Sequence, residues 1–141
     1  MADLNTALAV AAEAHAGQFD RAGKPYILHP LRLMWQMETE TEMIVALLHD
    51  VVEDNEAWTL ERLTAVGFSA EVVTAVDALS RRSDESYETF IERIRPNPLA
   101  VRVKLADLRD NMNPLRLEKL TERDLERLVK YHQAWQVLNG R

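Results

Sequence analysis

Apolar residues recur along this chain with the spacing of α-helices, and no stretch shows the sustained alternation of a strand flanked by turns. The first helix is predicted over residues 4–15, where apolar side chains return every three or four positions. Further helices are predicted over 30–37, 43–54, 59–65, 69–79, 87–94, 99–112 and 121–140. The pattern therefore predicts an all-α fold, a single compact domain over residues 1–141 with about six to eight helices.

Residues that favour helix ends mark several of these boundaries. Thr59, Ser69, Asn97 and Thr121 each precede a helical run and are suited to accept hydrogen bonds from its first backbone N–H groups. Pro98 then occupies the first turn of the helix that follows Asn97. The last helix is predicted to bury one stripe of side chains: Leu125, Leu128, Val129, His132 and Trp135.

One stretch, residues 47–54, places a histidine and three acids within an otherwise apolar segment. On a continuous helix, His49/Glu53 and Asp50/Asp54 are i,i+4 pairs on a single face. Three carboxylates this close repel one another unless a cation, a proton or water compensates them. A solvated helix face is the plain alternative, but the aliphatic flanks favour a buried helix. We therefore expect a metal ion to supply the compensating charge.

A second polar set lies in the helix after Pro98. Lys104, Asp107 and Asn111 occupy one helical face among apolar neighbours. With His29 at the mouth of the second helix, the chain offers two imidazoles and two carboxylates for one site: His29, His49, Asp50 and Asp107. Such a set without thiolate suits Mn²⁺, Fe²⁺, Mg²⁺ or Zn²⁺, and it leaves positions for water and substrate.

Composition and charge limit the possible partners. Apolar residues make up 47% and charged residues 28% of the 141 residues, as in ordinary globular proteins. The net charge of −6 argues against a general nucleic-acid binder. An anionic small molecule would need a local basic patch, for which there are five candidates: Arg21, Lys24, Arg32, Lys104 and Arg109.

Nothing in the sequence points to a membrane or to export. No apolar run approaches the ~20 residues of a membrane span, and the alanine-rich start lacks the positive charge of a signal peptide. The absence of cysteine fits a reducing compartment. We expect a cytoplasmic protein that binds neither membrane nor nucleic acid, and the oligomeric state stays open.

Taken together, these residues resemble a known family. A histidine, an adjacent His-Asp pair and a distant aspartate form the pattern of HD-domain phosphohydrolases. Five segments also resemble the hydrolase domain of RelA/SpoT alarmone enzymes in order and spacing: 15–18, 23–30, 48–54, 103–107 and 111–112. The resemblance covers roughly residues 4–115. Since a synthetase domain does not fit in this length, it implies a stand-alone small alarmone hydrolase.

The resemblance implies a role for each candidate residue. Four of them would bind a divalent metal ion, usually Mn²⁺ in the family: His29, His49, Asp50 and Asp107. Glu53 and Asp54 match the acids that activate and orient the attacking water, and Asn111 matches a residue at the nucleotide sugar. Three basic residues are candidates for phosphate or substrate contact: Arg21, Lys24 and Lys104. The implied activity removes pyrophosphate from the ribose 3′ position of (p)ppGpp, leaving GDP or GTP.

Two departures from the family pattern bear on the substrate. An arginine that packs on the base is replaced by Asp20, and the family's Asp-Arg-Leu-His-Asn is replaced by residues 107–111, in which Asp110 stands for the histidine. The same chemistry on another nucleotide therefore stays open, namely a ppApp-type nucleotide, a dNTP, a 5′-nucleotide or NADPH. A non-catalytic nucleotide-binding HD module is a further alternative.

Overall fold

The computed structural model describes residues 1–140, and all the helices and strands assigned within them are helices. The helices, in chain order, are α1 (Leu4–Ala14), α2 (Leu28–Trp35), α3 (Glu40–Leu48), α4 (Val51–Asp54), α5 (Leu60–Val66), α6 (Ala70–Leu79), α7 (Tyr87–Ile94), α8 (Pro98–Asn111) and α9 (Glu122–Leu138). Of these, α4 is a single turn, and a short 3-10 turn, Pro114–Arg116, lies between α8 and α9. The all-α prediction is confirmed. Within residues 1–140, no helix is both long and apolar enough to cross a membrane.

The helix around which the others pack is α3. It lies against α1, α2, α6 and α8. Four successive residues near its end, Val45, Ala46, Leu47 and Leu48, are fully buried, so this part of the helix has no solvent face. Burying each such leucine contributes about 1.5–3 kcal/mol. The residues that directly follow α3 are therefore attached to the most buried part of the fold.

The predicted helix caps are confirmed. The side chains of Thr59, Ser69 and Asn97 each accept a hydrogen bond from the backbone N–H three residues later. Thr121 and Asp124 form a reciprocal capping box at the start of α9. Because the short polar side chain replaces a missing backbone acceptor at each of these positions, the helix starts could be located from sequence.

The continuous helix predicted over residues 43–54 is wrong, since it breaks in the middle. His49 and Asp50 form a turn between α3 and α4. The ψ angle of Asp50 is −1°, far from the helical value of about −42°. Neighbouring side chains on a regular helix diverge by about 100°. Here the break lets them approach, with His49 Nε2 and Asp50 Oδ2 3.0 Å apart.

The stripe predicted for α9 is also wrong in part. Leu125 and Val129 are 51% and 59% exposed, and His132 is exposed as well. Leu128 and Trp135 are only partly buried. The physical reason is position: α9 lies at the edge of the bundle and packs mainly on α7 and α8, so one narrow side of it is covered.

Candidate metal centre

Four side chains from separate parts of the chain converge beside the break that follows α3. His29 lies in the first turn of α2, His49 and Asp50 form the break itself, and Asp107 lies in α8. One ligand atom from each residue lies within 4.8 Å of the others. The structure thus brings together the four residues that the sequence analysis grouped as metal ligands.

Both histidines turn the same ring nitrogen toward this cluster. His29 Nδ1 lies 2.6 Å from Asp110 Oδ2, and His49 Nδ1 lies 2.7 Å from the carbonyl oxygen of Ala46. Since each partner is an acceptor, Nδ1 donates and Nε2 faces the cluster, as is usual for metal-binding histidines.

The surroundings of His49 Nε2 show whether these residues fit a metal ion. His49 Nε2 is buried and has no hydrogen-bond partner among residues 1–140, although Asp50 is near. Buried polar atoms without partners are rare because they cost free energy. Two inward-facing imidazole nitrogens and two carboxylates compose a donor set that fits a divalent cation.

Neighbouring charges keep the two aspartates ionised. Lys104 Nζ lies 2.8 Å from Asp107 Oδ2, and the Asn111 amide donates to Asp107 Oδ1 at 3.0 Å. Burial alone would raise the pKa of Asp107, but Lys104 and the two histidines outweigh it and hold the pKa well below its ordinary value. Burial alone would also raise the pKa of Asp50, but the neighbouring His49 outweighs it, and the pKa of Asp50 falls to about 2. Both carboxylates therefore carry negative charge at neutral pH.

Asp110 is a residue of the candidate site that sequence reasoning missed. Besides accepting from His29, its carboxylate receives two hydrogen bonds from Arg32, at 2.8 and 2.9 Å. A signal was available, because Asp110 stands three residues after Asp107, as Arg32 does after His29, so the two pairs face each other. Arg32 is therefore committed to Asp110 and is not a free phosphate ligand.

Tyr26, which the sequence analysis did not assign to the site, also contacts the cluster. Its hydroxyl donates to Asp50 Oδ2, and its ring lies 4.9 Å from that of His15 and 5.6 Å from that of His29. Burial and the charge of Asp50 raise its pKa far above 10, so the hydroxyl keeps its proton. Behind it, His15 Nδ1 pairs with Gln18 Oε1 at 2.8 Å. Tyr26 and His15 therefore support the cluster from the side of α1.

Glu53 and Asp54 lie one helical turn beyond the cluster, on α4, and their side chains reach solvent. Partial burial and the negative charge of Asp50 raise the pKa of both carboxyls. For Asp54 the pKa reaches about 7. These two acids therefore hold protons more readily than ordinary surface carboxyls, which suits a proton acceptor near neutral pH.

Two cavities flank the cluster, and Asn111 and Tyr131 line both of them. The larger one, of about 340 Å³, is called the arginine cavity and is bounded by Asp20, Arg21, Arg32, Arg116, Leu117 and Arg127. The smaller one, of about 190 Å³, is called the Tyr87 pocket and is bounded by Glu53, Arg81, Tyr87, Lys104, Asp107 and Lys130.

Only some of the residues predicted to contact the substrate lie at these cavities or at the cluster. Arg21 lines the arginine cavity and forms an ion pair with Asp124. Lys104 and Asn111 reach the cluster, as described. Lys24 is exposed and lines neither cavity, and Arg109 lies over the ring of Trp135 in a separate groove. The structure therefore brings Arg21, Lys104 and Asn111 to the site but not the side chain of Lys24.

Curated proteins of the RelA/SpoT type align with most of this chain. The guanosine-3′,5′-bis(diphosphate) 3′-pyrophosphohydrolase of Haemophilus influenzae is 36% identical over 121 residues, which cover 75% of this chain and 18% of the relative. The bifunctional (p)ppGpp synthase/hydrolase SpoT of Escherichia coli is 35% identical over 125 residues, 79% of this chain and 18% of its own. The probable GTP pyrophosphokinase of Mycobacterium leprae is 34% identical over 122 residues, with coverages of 78% and 15%.

These similarities concern one part of much longer proteins. The chain spans between 15% and 18% of the length of these three relatives. No protein-family model matches it. Over about three quarters of its length, the chain is similar in sequence to curated (p)ppGpp hydrolases and synthetases of the RelA/SpoT type, and its cluster of two histidines and two aspartates resembles that of an HD-type hydrolase.

Proposed function

We propose that this chain is a metal-dependent guanosine-3′,5′-bis(diphosphate) 3′-pyrophosphohydrolase that acts on the small-molecule nucleotide (p)ppGpp. The observation that carries the proposal is the convergence of His29, His49, Asp50 and Asp107 beside an acid pair and between two cavities. Several relatives are guanosine-3′,5′-bis(diphosphate) 3′-pyrophosphohydrolases, which supports the same substrate. A cytoplasmic location stays a prediction from the sequence.

The four clustered residues are the proposed ligands of a divalent ion, for which Mn²⁺ is our choice by resemblance to the family. When bound, such an ion polarises a phosphoryl oxygen and lowers the pKa of a coordinated water. The surrounding residues prepare the donors. Asp110 and the carbonyl of Ala46 orient the two imidazoles, while Lys104 keeps Asp107 ionised.

In the proposed reaction, the oxygen of water adds to the phosphorus that is bonded to O3′, and the P–O3′ bond breaks. The leaving O3′ takes up a proton from solvent, so the nucleotide leaves with a 3′-hydroxyl, as GDP or GTP, and the water oxygen stays on the released pyrophosphate. Asp54, with its pKa of about 7, accepts a proton from the water, and Glu53 beside it orients that water. Asn111 lines both cavities, and its proposed role is to contact the sugar with the amide groups that it does not use toward Asp107.

Purified protein supplied with Mn²⁺ should release pyrophosphate and GDP from ppGpp. Asp50→Ala and Asp107→Ala should abolish this release, because each removes a proposed metal ligand whose carboxylate lies within 3.5 Å of the buried His49 Nε2. Asp84→Ala is a matched control on an exposed carboxylate away from the cluster. Folded, metal-loaded protein that turns over no 3′-pyrophosphorylated nucleotide would contradict the proposal.

One observation keeps a second substrate in view. Asp20 lines the arginine cavity where the family has an arginine, and its Oδ1 accepts from the backbone N–H groups of Ala22 and Lys24. A carboxylate does not stack on a base as a guanidinium does. Turnover should therefore be compared across ppGpp, ppApp, dNTPs, 5′-nucleotides and NADPH. Nucleotide that binds but is never cleaved would indicate a non-catalytic module.

A further inference from the structure

The Tyr87 pocket gathers three cations around one aromatic ring. Lys130 Nζ lies 4.6 Å from the ring centroid of Tyr87, the Arg81 guanidinium 5.6 Å and Lys104 Nζ 5.9 Å. A cation near an aromatic ring gains roughly 0.5–2 kcal/mol, but the ring does not cancel the repulsion between like charges. An anion among these side chains would cancel it.

Within residues 1–140, two of the three cations, Arg81 and Lys130, form no side-chain ion pair. Lys104 is paired with Asp107 at 2.8 Å. The Arg81 guanidinium donates only to the backbone carbonyl of Glu85, at 3.1 and 3.2 Å, and Lys130 has no ion-pair partner within residues 1–140. Burial, together with the positive charges of its neighbours, lowers the pKa of Lys130. Arg81 and Lys130 thus bring to the pocket wall positive charges that no side-chain ion pair within residues 1–140 neutralises.

The arginine cavity is different, because carboxylates accompany its guanidinium groups. Arg21 pairs with Asp124, and Arg32 and Arg116 both reach Asp110. Arg127, which also lines this cavity, lies 3.9 Å from Asp124, so each of the four guanidinium groups there has a carboxylate within 4 Å. Arg81 and Lys130 in the Tyr87 pocket form no such pair within residues 1–140.

A spare hydrogen-bond donor completes this pocket. The hydroxyl of Tyr87 is buried and has no hydrogen-bond partner in the part of the chain that the structure describes. Burial raises its pKa to about 12, so the hydroxyl keeps its proton at neutral pH. An unpaired donor of this kind is costly unless something accepts its hydrogen bond.

We propose that the Tyr87 pocket binds the pyrophosphate group that is transferred to water, through Arg81, Lys130 and the Tyr87 hydroxyl. The identity of the anion rests on the proposed function. His49, Asp50 and Asp107 form the wall that the pocket shares with the cluster, so a diphosphate here borders the proposed ligands. The nucleoside then lies beyond Asn111, in the arginine cavity.

The test compares inhibition by the two products, inorganic pyrophosphate and GDP, in the wild type, Arg81→Gln, Lys130→Gln and the double variant. Each single substitution removes one charged ligand and should weaken inhibition by pyrophosphate on the order of tenfold, and the double variant should weaken it further. Inhibition by GDP should change less than about twofold, because GDP lacks the 3′ group. The KM for ppGpp should rise with the pyrophosphate inhibition constant.

Control variants separate this role from a general effect of charge. Lys119→Gln and Arg123→Gln remove exposed cations outside both cavities and should change neither inhibition constant. Arg81→Lys keeps the charge and should recover part of the pyrophosphate inhibition. Thermal melts of each variant establish that it folds.

Two results would overturn the inference while the proposed function stands. One is a folded double variant that hydrolyses ppGpp and is inhibited by pyrophosphate as strongly as the wild type. The other is a double variant that loses GDP inhibition as much as pyrophosphate inhibition, which would assign the pocket to the 5′-phosphates. If the wild type hydrolyses nothing, calorimetric titration of metal-free protein with pyrophosphate decides the matter: binding that the double variant loses supports the anion site, and unchanged binding overturns it.

Discussion

The candidate site has a buried half and an open half, and the two are built differently. The buried half comprises His29, His49, Lys104, Asp107 and Asp110, none of them more than 9% exposed. The open half comprises Glu53, Asp54, Arg81 and Lys130, which lie at the mouth of the Tyr87 pocket or beside it. Side chains of the buried half are held mainly by one another, whereas those of the open half have few partners. This difference indicates that the first half is set for an ion and the second for a mobile substrate.

The largest expected effect concerns the open half, where substitutions should reduce turnover without changing the affinity for the metal ion. Glu53→Gln and Asp54→Asn, made singly and together, should lower kcat by about 10²- to 10⁴-fold, because they remove the proton acceptor. Affinity for Mn²⁺, measured by calorimetry, should stay within a few-fold of wild type, since neither side chain is a proposed ligand. A pair variant with full kcat would remove these acids from the mechanism.

The buried half should show the opposite behaviour. Asp110→Asn keeps the shape of the side chain but removes the charge that His29 and Arg32 share, and it should weaken Mn²⁺ binding about 10- to 100-fold. The matched control is Asp124→Asn, which disturbs the pair with Arg21 in the arginine cavity and should leave Mn²⁺ affinity unchanged. If Asp110→Asn binds the ion as tightly as wild type, Asp110 does not position His29.

The smallest effect concerns the segment that carries Arg81. Arg93 holds Glu85 through two hydrogen bonds, at 2.8 and 3.1 Å, and chiefly for this reason the pKa of Glu85 falls from 4.5 to about 2. A carboxyl with a lowered pKa in the folded state stabilises the fold above about pH 4.5, and this contribution is lost as the pH falls toward about 2.

Glu85→Gln should therefore lower Tm modestly at pH 7, and its difference from wild type should shrink between pH 4.5 and 2. Thermal melts across that range measure it. Glu92→Gln breaks an exposed pair with Arg95 and should have no measurable effect. A difference that stays constant down to pH 2 would show that the ionised Glu85 does not stabilise the fold.

The sequence analysis singled out every residue of the buried half except Asp110, and it did so for a definite reason. A charged residue inside an apolar helical run, such as Asp107, needs a buried partner, so its position in the pattern already indicates a site. The capping residues Thr59, Ser69, Asn97 and Thr121 were predictable because their chemistry is local. The grouping of His29, His49, Asp50 and Asp107 in one site, however, was a hypothesis from their residue types that the resemblance to a family supported and that no helical spacing fixed.

Other features depend on tertiary contacts that a linear pattern does not record. The break at Asp50 interrupts a run whose apolar spacing suits one continuous helix. Tyr26 and Asp110 look like loop and surface residues until the helices are assembled. Leu125 and Val129 repeat with helical spacing, yet they face solvent because no element of residues 1–140 covers that side of α9.

The turn between α3 and α4 also fixes how much change the chain tolerates there. It delivers two consecutive side chains to one point and then places Glu53 and Asp54 one turn further on. Inserting a single residue between Leu48 and Val51 would rotate α4 by about 100° and turn its acids away from the cluster. An added residue near Gly23, in an exposed loop, would leave these helices in register. Length variation among functional homologues of this chain should therefore occur in that loop and be absent from the turn.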